Sequence, residues 1–106
     1  MPEFNFNNQV WSALKLIPRG RVTTYKEIAK FIGRPGAARA AGNACKRNPD
    51  APRVPCHRVV RSDGRLGGYA LGMRKKIKLL EGDGLVVKKG KVEEFKNRIY
   101  RYREGG

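Results

Sequence analysis

Histidine is nearly absent from this chain. The one example, His57, directly follows Cys56, and Cys45 is the only other cysteine among 106 residues. One histidine and two cysteines lack the paired ligand spacings of a zinc site, so neither a metal nor another cofactor is expected. Acidic side chains are also scarce: 9 Asp+Glu stand against 24 Lys+Arg, for a net charge of +15. That imbalance points to a polyanionic partner, nucleic acid above all. No apolar run is long enough to cross a bilayer, and the opening "MPEFNFNNQ" lacks the charged-then-apolar pattern of a secretory signal. No membrane association is expected. The expected location is the cytoplasm (the nucleoid in a prokaryote), where thiols stay reduced and two cysteines do not form a structural disulfide. Hydrophobic residues make up 40% of the chain, which excludes a disordered polypeptide. The length suits one small domain over residues 1–106, expected to be monomeric.

The chain reads as a series of short helices. In "FNNQVWSALKLIPRG", asparagines offer caps, Val10, Trp11, Leu14 and Ile17 recur at helical spacing, and Pro18 with Gly20 stop the run. In "RVTTYKEIAKFIG", Thr23 or Thr24 is a candidate N-cap, Glu27 completes a capping box with Thr24, and Gly33 ends the helix. A turn at Pro35-Gly36 leads into a second helix over residues 37–46, closed by Asn48-Pro49. Two short helices around a tight turn read as a helix-turn-helix. Further on come a strand in "HRVV", a Ser-Asp-Gly turn, a glycine-rich loop, and a helix with Met73, Ile77 and Leu80 on one face. A hairpin turns at Lys89-Gly90, and the final segment is either a last helix through Val92, Phe95 and Ile99 or a frayed basic tail, a possible extension over residues 88–106. The expected fold is mainly α with a small β-hairpin, a winged-helix-like helix-turn-helix domain.

The helix over residues 37–46 is unusually bare. Ala37, Ala38, Ala40, Ala41, Gly42 and Ala44 leave Arg39, Lys46 and Arg47 as its large side chains. Helices that read bases in the major groove carry Asn, Gln or Arg at several positions. A smooth surface suits either close packing on a neighbouring element or the narrow minor groove, and the charge of the chain favours the groove.

A cysteine acts as a nucleophile through its thiolate, which requires a base or a positive field. Cys56 has His57 beside it and Arg53, Arg58 and Arg61 nearby. Adjacent strand residues point to opposite faces, so cooperation between Cys56 and His57 requires a turn between them or a bridging water. Pro55 fits a turn.

The segment "NPDAPRVPCHRVV" resembles the active-site segment of the O6-alkylguanine-DNA alkyltransferases, whose Pro-Cys-His-Arg-Val signature stands unbroken as Pro55, Cys56, His57, Arg58 and Val59. "RVTTY", "AARAAGNA", "NP", "GGY" and "LLEGDGL" occur in the family's order and spacing, so the resemblance covers about Phe4 to Leu85. It implies a partner, duplex DNA containing O6-alkylguanine, bound through the minor groove. It also implies a reaction, irreversible transfer of the alkyl group to the protein. Cys56 would be the acceptor, His57 the base through a water, and Glu81 the group that orients it. Tyr25 would serve the departing guanine, Arg39 would fill the space left by the flipped base, and Asn48 would link the DNA helix to the cysteine loop. Thr24, Ala37, Ala38, Ala41, Gly42, Lys46 and Arg47 would join Arg39 against DNA. Val59, Tyr69, Ala70 and Leu71 would line the pocket.

The family usually carries a further domain ahead of this region, which is not expected here. Ala70 stands where many members have Ser. Leu71 stands in place of a usual Gly, and its side chain is expected to narrow the pocket. Cys45 matches no catalytic role and reads as packing. The alternative activity is that of the alkyltransferase-like proteins, which bind and flip alkylguanine without accepting the group. A plain DNA-binding helix-turn-helix with an incidental or redox-sensing cysteine is disfavoured by the intact signature. Phosphate contacts by so basic a chain predict a duplex affinity that falls linearly in log-log terms with salt, measurable by titration at several ionic strengths.

Overall fold

The structure, a computed structural model, describes residues 5–102. Helix α1 spans Phe6–Leu14, and the side chain of Asn5 caps it by accepting the Asn8 amide at 3.0 Å. The helix stops short of Pro18 because proline disfavours helical geometry in the residue before it. The chain tightens instead, with the Leu16 and Ile17 amides donating to Ala13 and Leu14 carbonyls at 3.1 Å. Ile17 still reaches the core, at 2% exposed.

Strand β1 is Thr23–Thr24, helix α2 is Tyr25–Phe31 and helix α3 is Ala38–Lys46. Thr24 caps α2, its hydroxyl accepting the Glu27 amide at 3.0 Å. Gly33 ends α2 with φ +82°, while the Arg34 amide donates to Ala29 at 2.9 Å. Ala41 and Ala44 are fully buried. Their small side chains let α3 lie close to α1, and the Trp11 indole N–H donates to the Ala44 carbonyl at 2.8 Å across the gap. The bare helix therefore serves packing on one face, while Arg39, Ala40, Asn43, Lys46 and Arg47 remain exposed on the other.

A 3-10 turn over Cys56–Arg58 leads into strand β2, Val59–Val60, which pairs in parallel with β1 as Thr23 opposite Val59 and Thr24 opposite Val60. Alternation along β2 sends its two valines to different places. Val59 joins the helical cluster around Val10, Leu14, Ile28, Ala41 and Cys56. Val60 joins a second cluster with Val22, Leu66, Leu80, Leu85 and Val92.

Helix α4 spans Met73–Gly82. Leu80 is fully buried and Ile77 partly, but Met73 is 44% exposed and does not belong to the inner stripe. Strands β3, Val87–Lys88, and β4, Lys91–Val92, form the expected hairpin. Lys89 and Gly90 both have positive φ, 52° and 76°, as a two-residue turn of matching twist requires. The architecture is mainly helical with small strand pairs, of helix-turn-helix type with a hairpin wing.

Of the two expectations for the tail, the last helix appears in shortened form and the frayed end does not. A single helical turn, α5, spans Phe95–Arg98, and the chain then runs back extended across the molecule. Ile99 bridges to Val22, the Tyr100 amide donates to the Val22 carbonyl at 2.6 Å, and the Thr23 hydroxyl donates to the Tyr100 carbonyl at 2.8 Å. Tyr102 stacks on Phe31 with ring centroids 4.3 Å apart and donates its hydroxyl to the Ala13 carbonyl at 2.8 Å. Arg101 pairs with Glu27 at 2.9 Å. Residues 99–102 are thus a strap built into the fold rather than a frayed basic end; residues 103–106 lie outside the described part. Tyr102→Phe should cost about 1 kcal/mol through the lost hydrogen bond, and Tyr102→Ala about 3 kcal/mol through the added loss of aromatic packing; chemical denaturation of both variants checks this.

Candidate active site

Cys56 begins the 3-10 turn and is 3% exposed, yet its surface opens onto a cavity of about 590 Å³. Of the residues expected from sequence, Tyr25, Ala38, Arg39, Gly42, Lys46, Tyr69 and Ala70 line the same cavity. Tyr25 reaches it from the first turn of α2, the others from the exposed face of α3 and from the glycine loop. Gly67 has φ +68°, and a Cβ there would lie 3.3 Å from the Tyr25 hydroxyl. Glycine at this point allows the loop to approach the tyrosine closely.

Burial raises the Cys56 thiol above its usual value. The Asn48 side chain and the Lys76 charge act in the opposite direction without cancelling that effect. Cys56 therefore rests as a thiol and requires a base. His57 follows it on the turn, and burial holds the imidazole below its ordinary pKa of 6.5, so it is neutral at pH 7. Its Nε2 lies 3.1 Å from Asp83 Oδ2. The carboxylate fixes Nε2 as the protonated nitrogen. Nδ1 is left as an acceptor, buried and without a hydrogen-bond partner among the described residues.

The carboxylate in contact with His57 is Asp83, not Glu81, which corrects the sequence reading. Glu81 lies in the last turn of α4 with its side chain in solvent. Asp83, one position beyond the helix, turns inward. Arg58 grips it through two nitrogens, Nε at 2.8 Å and Nη2 at 3.1 Å, and donates Nη1 to the Ile17 carbonyl at 3.0 Å. Burial alone would raise the Asp83 carboxyl, but the Arg58 hydrogen bonds and charge, with His57, hold it below the usual range.

Other expected residues act indirectly. Thr24 is 3% exposed with its hydroxyl committed to the α2 cap, and Ala41 is fully buried, so neither side chain is available to DNA. Ala37 and Arg47 flank α3 without lining the cavity. Val59 is fully buried in the helical cluster. Leu71 is 54% exposed and outside the lining, because the loop turns outward before Gly72; it does not narrow the cavity. Asn48 donates Nδ2 to the Val54 carbonyl at 2.7 Å and accepts the Asp50 amide at 3.0 Å, which ties the end of α3 to the Pro55-Cys56 segment. Cys45 packs in the core as expected but also borders the cavity; burial, with the nearby Cys56, pushes its thiol up to about 12.

Lys76 was not singled out by the sequence reading. It is fully buried in α4, and its Nζ donates to the carbonyls of Val59 (2.8 Å), Leu66 and Gly68 (3.1 Å). Burial lowers it to about 8, opposed by the two cysteines. It clamps β2 to the glycine loop and sets a positive charge near Cys56. The available signal was its position: three residues after Met73 and four before Leu80, on the apolar face of the helix.

The family model described as "6-O-methylguanine DNA methyltransferase, DNA binding domain" matches residues 5–85, which include the Pro55–Val59 signature and every residue of the site. The chain belongs to this family. It is 54% identical over 79 residues to the methylated-DNA–protein-cysteine methyltransferase of Methanosarcina acetivorans, a match over 74% of this chain and 51% of that one. It spans about half or less of the length of the curated relatives it matches. Among solved structures, the OGT of Mycobacterium tuberculosis in complex with DNA superposes with a TM-score of 0.74 at 48% identity, over 78% of this chain and 51% of that one. Atl1 of S. pombe, in complex with damaged DNA containing O6-carboxymethylguanine, superposes with a TM-score of 0.82 at 29% identity, over 96% of this chain and all of that one.

Asp83→Asn should cost about 3 kcal/mol, because it leaves Arg58 without its buried anion, whereas Glu81→Gln should stay within about 0.5 kcal/mol. The depressed His57 also fixes a sign: below about pH 6.5 the unfolded chain takes up a proton first, so stability falls with acid until the folded-state value is reached. His57→Gln should flatten that fall below about pH 6.5 in thermal melts at stepped pH.

Proposed function

We propose that this protein binds duplex DNA through the exposed face of α3, turns an O6-alkylguanine into the cavity, and takes the alkyl group onto Cys56. The observation that carries this reading is the arrangement at the cavity floor: a cysteine on the cavity and a neutral histidine beside it whose Nε2 is held by a carboxylate. His57 Nδ1 accepts the thiol proton through a bridging water, and Asp83 stabilises the imidazolium that results. The thiolate displaces guanine from the alkyl carbon and forms a thioether. Burial, with the two cysteines, raises Tyr25 well above the usual phenol range, so it stays protonated and can donate to the departing base. A thioether is not reversed by hydrolysis, so each molecule acts once. Arg39, exposed on α3 at the cavity edge, is suited to fill the stack behind the flipped nucleotide. The close superposition on Atl1 along its whole length supports a second reading, a sensor that flips alkylguanine and retains it unchanged.

Intact-protein mass spectrometry after incubation with a duplex containing O6-methylguanine separates the two. Transfer predicts a gain of one methyl group, mapped to Cys56 and abolished in Cys56→Ala. Asp83→Asn should slow it by about a hundredfold, the range of general-base assistance. Tight binding of the damaged duplex with no mass change would favour the sensor.

A further inference from the structure

The cavity beside Cys56 has room and a one-signed wall. Four cations line it, Lys26, Arg39, Lys46 and Arg61, and no carboxylate does. None of the four forms an ion pair among the described residues, where every carboxylate contact goes elsewhere. All four are exposed, and Arg61 is the one whose stem runs along the glycine loop beside Tyr25. Its Cγ would lie 3.4 Å from a Cβ on Gly67, next to the Tyr25 hydroxyl, so the aliphatic stem crosses the loop at the tyrosine expected to serve the leaving base. Its charge is felt by Tyr25 and also by Asp63, the acid nearest it in sequence, but the hydrogen bond and ion pair of Asp63 go to Arg65, whose backbone amide it accepts at 3.0 Å. Lys46 passes Gly68 on the opposite side, with Cε 3.9 Å from the position of a Cβ there. Leu71, the side chain expected to restrict the volume, lies outside.

We infer that the site prefers O6-alkyl groups that end in an anion, such as carboxymethyl, over neutral groups of the same size, with Arg61 as the main determinant and Lys46 as the second. This rests on the transfer or flipping of alkylguanine set out above. A guanidinium at the cavity wall that forms no ion pair among the described residues supplies a planar two-donor partner for a carboxylate. Phosphates engage the outward cations on α3, whereas an adduct carboxylate meets Arg61 at the cavity wall beside Tyr25. In the transfer step the Cys56 sulfur bonds to the methylene carbon, the bond from that carbon to O6 breaks, and guanine leaves with the electron pair and takes a proton from Tyr25. The product is S-carboxymethylcysteine and intact guanine, and the Cys56 proton on His57 restores the tyrosine through solvent.

The test uses three duplexes, carrying O6-carboxymethylguanine, its neutral carbamoylmethyl counterpart and O6-methylguanine, with Cys56 modification followed by mass. The ratio of carboxymethyl to carbamoylmethyl rates should be about fivefold higher in the unmodified protein than in Arg61→Gln, the size of one partly exposed ion pair, and Arg61→Gln combined with Lys46→Gln should lower it further. The advantage should shrink at high salt. An equal ratio in the unmodified protein and Arg61→Gln overturns the inference, as does an Arg61→Gln loss of the same size for all three duplexes, which would assign Arg61 to phosphate. If no duplex modifies Cys56, transfer itself fails, and the same ratio read from competition binding decides the anion preference alone.

Discussion

The carboxylate of Asp83 is the point on which the site depends. It lies where α4 ends and is held by two nitrogens of Arg58, whose third donor ties it to the carbonyl of Ile17 at the end of the first helical segment. Three regions distant in sequence therefore meet at one anion. The histidine that shares it gains both a fixed orientation and a fixed proton position. Removing the positive fork would leave burial to raise the carboxyl; removing the carboxyl would leave a guanidinium in a poorly hydrated place. The Arg of the Pro-Cys-His-Arg-Val run is thus as structural as the histidine is chemical, and their adjacency in sequence reflects one shared partner.

Lys76 plays the complementary part on the other side of Cys56. Its ammonium is spent on three carbonyls, which joins a two-residue strand to a loop that has no regular structure of its own. Tyr69 sits within that loop, which the Leu66 amide also ties to the Gly90 carbonyl at 3.0 Å. The arrangement places positive charge near the thiol without a cation that could swing away, a form of preorganisation. The Lys76 charge lowers the Cys56 thiol, against the burial that raises it.

Much of this was legible in the sequence, for identifiable reasons. The helix-turn-helix, its Thr24 cap and the Lys89-Gly90 turn depend on local rules of capping and backbone sign, and they appear as read. The signature around Cys56 is contiguous and could be read directly. What was misread depends on direction rather than spacing. Glu81 and Asp83 are two positions apart, but one is still in the helix facing solvent and the other is past its end, facing in. Leu71, in the glycine loop, is exposed and lies outside the cavity lining. Lys76 was passed over because a lysine is expected at the surface, although its place on the apolar stripe marked it. The strap through Ile99 and Tyr102 was unreadable for another reason: its partners, Val22 and Ala13, lie more than seventy residues earlier, and no local pattern encodes such pairing.

The division of labour between Val59 and Val60 has one more implication. Cys56 lies only three residues before the first paired position of β2, and side chains there alternate between two separate apolar clusters. The strand register is consequently the ruler that sets the depth of the sulfur. Adding or deleting one residue between Pro55 and Val60 would exchange the valines between clusters and rotate the turn that carries Cys56. Segment length here is held as tightly as residue identity.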